Sequence, residues 1–210
     1  MTGKNILKEL LIVIRRNSSQ LLLYLVISTF FIGAYSMYMK GRNNPIDPSA
    51  FRPLLEVIAR GESNGNYNAY FGNPSNTKVK FNSMSVDEVM AWQNSYVAQG
   101  SPSSAVGRYQ IINNTLSGLV DQLGLAGSEK FDEDMQDTMA TALLERRGAR
   151  DYVNNRISRE QFAANLAKEW AALPKVIGDN PEESHYASDG LNKSRVAVSE
   201  IIGAIKRVDI

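Results

Sequence analysis

The stretch ESNGNYNA, residues 62–69, decides how this chain is read. Just upstream, Leu54, Leu55, Val57 and Ile58 recur at helical spacing, and Pro53 suits a first helical turn. Gly61 is expected to end or loosen that helix, which puts Glu62 at its mouth. Downstream, residues 63–85 are rich in Asn, Gly, Ser and aromatic side chains, with a short strand expected at 77–81 opposite 67–71. A carboxyl at a helix end beside an aromatic lobe suits the cleavage of a glycosidic bond. A partly apolar cleft raises the pKa of such an acid, so it keeps the proton that it must hand to the departing oxygen. An exposed helix-terminal glutamate is the plain alternative, and Glu62 taken alone does not separate the two.

Beyond this stretch the pattern is helical. Ser85 and Glu88 form a capping box that opens a helix to about Val97, with Val86, Val89, Met90 and Val97 inward. After a loop at 100–104, Leu116, Leu119, Val120 and Leu123 mark a helix that ends at Gly124. Met135, Met139, Leu143 and Leu144 mark another, closed by Gly148. Ser158 and Gln161 form a second capping box, followed by Phe162, Leu166 and Trp170 before Pro174, and a last helix is expected from 191 to 205. The expected fold class is therefore mainly α with a small β-lobe, an α+β arrangement.

Residues 21–39, LLLYLVISTFFIGAYSMYM, carry no charge. At about 1.5 Å per residue, a helix of that length nearly spans a hydrocarbon core of about 30 Å. Lys4, Lys8, Arg15 and Arg16 precede it, so the reading is a basic cytoplasmic segment at 1–20 and a transmembrane signal-anchor helix at 21–39. A linker at 40–50 and a catalytic domain at 51–210 follow. That order makes the chain a single-pass membrane protein, with its N-terminus in the cytoplasm and its catalytic domain outside, in the periplasm. A cleaved signal peptide is disfavoured by the length of the apolar stretch and by the lack of a clear small-residue cleavage site.

Composition closes other routes. The 210 residues hold 23 Lys and Arg against 22 Asp and Glu, a net charge of +1 that suggests no nucleic-acid partner. There is no cysteine and only one histidine, His185, which removes thiolate nucleophiles and zinc sites built on His and Cys clusters. No cofactor and no metal is required.

Several blocks now carry a resemblance. ESNGNYNA at 62–69 resembles the E-S-x-x-x-[FY]-x-A signature of lytic transglycosylases of the lysozyme superfamily. AVGRYQII at 105–112 resembles their A-x-G-x-x-Q block, and its GRYQ form is most similar to lambda-like phage endolysins. QLGL at 122–125, ERRGA at 145–149 and WAALP at 170–174 follow in that family's order. The resemblance implies a lysozyme-like domain that cuts the glycan strands of peptidoglycan, with Glu62 as general acid and then base. It implies a cleft position for Ser63 and saccharide subsites walled by Gly107, Arg108, Tyr109 and Gln110; Tyr67 and Tyr186 complete the expected substrate-binding set. The block makes physical sense, since glycine admits close backbone approach, tyrosine offers a flat face to a pyranose ring, and glutamine both donates and accepts.

Common hydrolytic glycosidases use two carboxylates. Between Ser63 and Val120 the only acids are Asp87 and Glu88, both at a helix start where the capping box and helix dipole account for them. A single-carboxylate mechanism is favoured, in which the muramic acid 6-hydroxyl attacks its own sugar and leaves a 1,6-anhydro end. The alternatives are a hydrolytic muramidase with a second carboxylate, or a non-catalytic, membrane-tethered wall-binding module.

Overall fold

The structure is a computed structural model that describes Ile46 and residues 48–208. A 3₁₀ turn at Pro48–Phe51 leads straight into α1 (Arg52–Ser63). Then come α2 (Val86–Ala98), α3 (Asn113–Leu123), α4 (Glu133–Arg146), α5 (Ala149–Val153), α6 (Arg159–Leu166) and α7 (Val198–Lys206). Helix α1 packs on α7, α7 on α6, α6 on α5, and α5 on α4; α4 meets the Pro48–Phe51 turn, which abuts α1. The helices thus close into a ring, and α2 and α3 pack on each other beside it. Helices α1 and α4 are the most enclosed; α4 buries Gln136, Met139, Ala140, Thr141, Ala142, Leu143 and Leu144.

The first capping box forms in full: Glu88 N–H donates to Ser85 Oγ and Ser85 N–H to Glu88 Oε2. Only half of the second forms, because the Gln161 amide donates to Asn165 instead of reaching back to Ser158. Helix α2 buries Val86, Val89 and Gln93, whereas Val97 is 46% exposed. Gln93 takes an inward place because its amide donates to the carbonyls of Ser104 and Ile111, both at 2.8 Å, the latter also accepting the Val106 N–H.

Four expectations are corrected. The first is the β-lobe: among the described residues there is no strand, only isolated bridges such as Tyr70 with Val106 and Val106 with Ile111. Between 64 and 83, asparagine side chains supply the hydrogen bonds that a strand ladder would. Asn76 donates to the carbonyls of Asn68 and Val79 and accepts from the Lys78 and Val79 amides. Asn66 donates to the carbonyls of Pro74 and Asn76, and Asn68 accepts from the Asn82 amide. Such local side-chain bonds compete with extended pairing, and here they prevail. The fold class is therefore mainly helical with an irregular, asparagine-held lobe.

Second, α1 does not end at Gly61 but runs through Glu62 to Ser63, with Asn64 as a left-handed cap. A Cβ at Gly61 would lie 2.8 Å from Val196 Cγ2 and 3.1 Å from the Ala172 Cβ, so the glycine serves close packing within a helix. Third, the final helix begins only at Val198; the residues before it form a strap whose Arg195 N–H donates to the Ala172 carbonyl at 2.8 Å. The fourth concerns the membrane. Among the described residues no helix is long and apolar enough to cross one, so the preceding transmembrane helix and the single-pass placement are not retained. The segment 21–39 itself lies outside the described residues.

Ile46 and the Pro48–Phe51 turn lie against the helical body. Ile46 N–H donates to Glu145 at 2.9 Å, and Phe51 is 1% exposed.

Candidate functional site

A cleft of about 760 Å³ opens beside the C-terminal end of α1. Glu62 lines it, together with Tyr70 and Phe71 of the lobe, Tyr109 and Gln110 of the following loop, Arg147 just after α4, and residues 168–171. Tyr186, Asp189, Asn192 and Arg195 of the later segment complete the rim.

Glu62 is half-buried, and its Oε1 accepts the Ala172 N–H at 2.9 Å. Burial dominates its titration and pushes the carboxyl from an ordinary 4.5 up to about 7; the Ala172 bond and the charge of Arg195 oppose that rise. Near neutrality, then, this carboxyl can both hold and release a proton. The other two acids on the cleft wall differ. Glu169 pairs with Arg147 at 2.7 Å, and Asp189 is held as a carboxylate by the Asn192 side chain and the amides of Leu191 and Asn192, which keep its pKa low. Asp87 and Glu88 are not on the wall, for they occupy the first turn of α2.

The eight residues singled out in the sequence divide evenly. Glu62, Tyr109, Gln110 and Tyr186 line the cleft; Ser63, Tyr67, Gly107 and Arg108 lie behind its wall. Ser63, 1% exposed, donates to the Arg108 carbonyl at 2.7 Å and so ties the helix end to the wall loop. Arg108 stacks over Tyr67 at 4.8 Å, pairs with Glu56 at 2.6 Å and donates to the Gly65 carbonyl. Gly107 has a φ of +78°, and a Cβ there would overlap the Gln136 side chain. Tyr109 is only 2% exposed, its hydroxyl donating to Asp137 at 2.7 Å, while Tyr67 donates to the same carboxylate at 3.1 Å. Gln110 takes a left-handed φ of 48° and commits its side-chain N–H to the Gly107 carbonyl. Tyr186 donates to the Lys168 carbonyl at 2.7 Å, which fixes it on the rim.

This half-buried acid in a cleft, behind which a GRYQ loop is bolted to the helix, accords with a family match. A model of the family described as Endolysin matches residues 53–191. The chain belongs to the endolysin family. It is thus a phage-type, cell-wall-degrading enzyme whose substrate is peptidoglycan. No curated protein and no solved structure matches the chain.

Three parts of this endolysin's site escaped the sequence reading. Gln136 is wholly buried; it accepts the Arg108 N–H at 2.8 Å and donates to the carbonyls of Phe131 and Tyr67, so one side chain aligns three segments of the wall. Its spacing on α4, one turn before Ala140 on the buried face, was the available signal. The Ala172 N–H reaches Glu62 from 110 residues away, and no side-chain pattern encodes a backbone donor. Arg195 falls where a helix was expected, so its place on the rim was hidden.

Proposed function

We propose that this endolysin is a lytic transglycosylase, cleaving the β-1,4 bond between MurNAc and GlcNAc and leaving 1,6-anhydro-MurNAc ends, with Glu62 as sole acid and base. In the first step the Glu62 proton passes to the bridging oxygen as the bond to the muramic acid C1 breaks. In the second, the Glu62 carboxylate takes the proton of the 6-hydroxyl as that oxygen bonds to C1. The intramolecular hydroxyl has an effective concentration that free water lacks. The reading rests above all on the half-buried Glu62, the one acid of the cleft held near neutrality, while Glu169 and Asp189 are tied to partners of their own. Tyr109, Gln110 and Tyr186 serve as subsite residues on this reading, with Ser63, Tyr67, Gly107 and Arg108 holding the wall behind them.

The test is mass spectrometry of purified peptidoglycan digested with wild type and with Glu62→Gln. Anhydro ends from the wild type and no soluble fragments from the variant are expected. Reducing ends would reassign the enzyme as a muramidase, for which Glu169 or Asp189, also on the cleft wall, is the available second carboxylate.

A further inference from the structure

Both groups that act on Glu62 come from a single junction late in the chain. The Ala172 N–H bonds to the carboxyl, while the Ala172 carbonyl accepts the Arg195 N–H at 2.8 Å, so the turn at 170–174 and the strap before α7 are tied at one residue. The Arg195 guanidinium in turn donates to the carbonyl of Gly61, the residue before Glu62, at 3.4 Å. Gly61 has no side chain, and this lets the strap, through Val196, press against α1. Arg195 also lies beyond the residues 53–191 that match the family.

We propose that Arg195 is a positioning residue for the reaction: held by the strap beside the end of α1, its cation steadies the Glu62 carboxylate formed between the two proton transfers. The idea rests on Glu62 being the proton donor. Loss of the proton to the leaving oxygen creates a negative charge in a half-buried place, and an adjacent guanidinium offsets the cost of that charge. The other charged groups of the cleft do not replace it. Arg147 and Glu169 neutralise each other, Asp189 has the wrong sign, and Lys168 meets the rim through its carbonyl, which accepts from Tyr186 and Arg147. The turn at 170–174 brings the Ala172 backbone, and the α1 cation beside Glu62 in sequence, Arg60, pairs with Glu200.

The experiment follows the Glu62 carboxyl by carbon NMR in wild type, Arg195→Gln and Arg195→Lys, its resonance assigned by disappearance in Glu62→Gln. Without the cation the midpoint should move up by roughly 0.5 pH unit, a modest effect because Arg195 is exposed; the alkaline limb of kcat should move with it, and KM should hold. Arg195→Lys should sit near wild type. Both variants keep the Arg195 backbone bond to Ala172, and thermal melts show whether the fold is intact. A midpoint and limb unmoved in a folded Arg195→Gln protein would overturn the inference, as would a limb that stays put while the midpoint shifts. An active Glu62→Gln protein overturns the underlying assignment of Glu62 instead, whatever the titration does.

Discussion

A carboxyl that must keep a proton near neutrality also alters the stability of the fold that holds it. Glu62 moves from an ordinary 4.5 to about 7 because burial disfavours its charge. Between those values the native protein retains a proton that the unfolded chain has released, so stability falls as pH rises from 4.5 to about 7 and levels off above. Glu62→Gln removes the penalty. We expect the variant to match wild type near pH 4 and to exceed it near pH 8 by about 1–3 kcal/mol, discounted for partial exposure, as read from denaturant melts. Activity should show the opposite: a loss of about 10³-fold or more in the variant, and in wild type a decline once pH passes about 7.

Among the elements, what repeats along the chain was legible and what arrives from afar was not. Apolar spacing located α1 to α4, and Ser85 with Glu88 marked the start of α2. The glycine rule failed at Gly61, since nothing local tells of Val196 and Ala172 pressing on that point. Gly61→Ala tests this: the added methyl meets two neighbours at 2.8 and 3.1 Å. The expected cost is about 1–3 kcal/mol of overpacking in a chemical melt. Because the same contact aligns Ala172 with Glu62, kcat should fall more than KM changes. Periodicity also misled at 77–81, where alternation is real but the Asn76 side chain takes the backbone groups first, accepting the Lys78 and Val79 N–H and donating to the Val79 carbonyl. Half of the expected site residues support the wall from behind, since a motif records which residues matter together, not which of them face the cleft.

Across the molecule, the ring of helices closes through the Pro48–Phe51 turn, which joins α4 to α1. A protein starting at residue 46 should therefore melt well above one starting at 52, which loses the buried Phe51 and its roughly 2–3 kcal/mol of burial. Equal melting temperatures would show that the ring does not need the turn. The lobe beside the ring obeys a different logic, because amide side chains hold it in place of paired strands. Asn76, 4% exposed, donates to two carbonyls, and slow hydrolysis of its amide would set a carboxylate against both. An ageing sample would then lose its cutting power while its circular dichroism stayed that of fresh enzyme, the helices having no share in the damage.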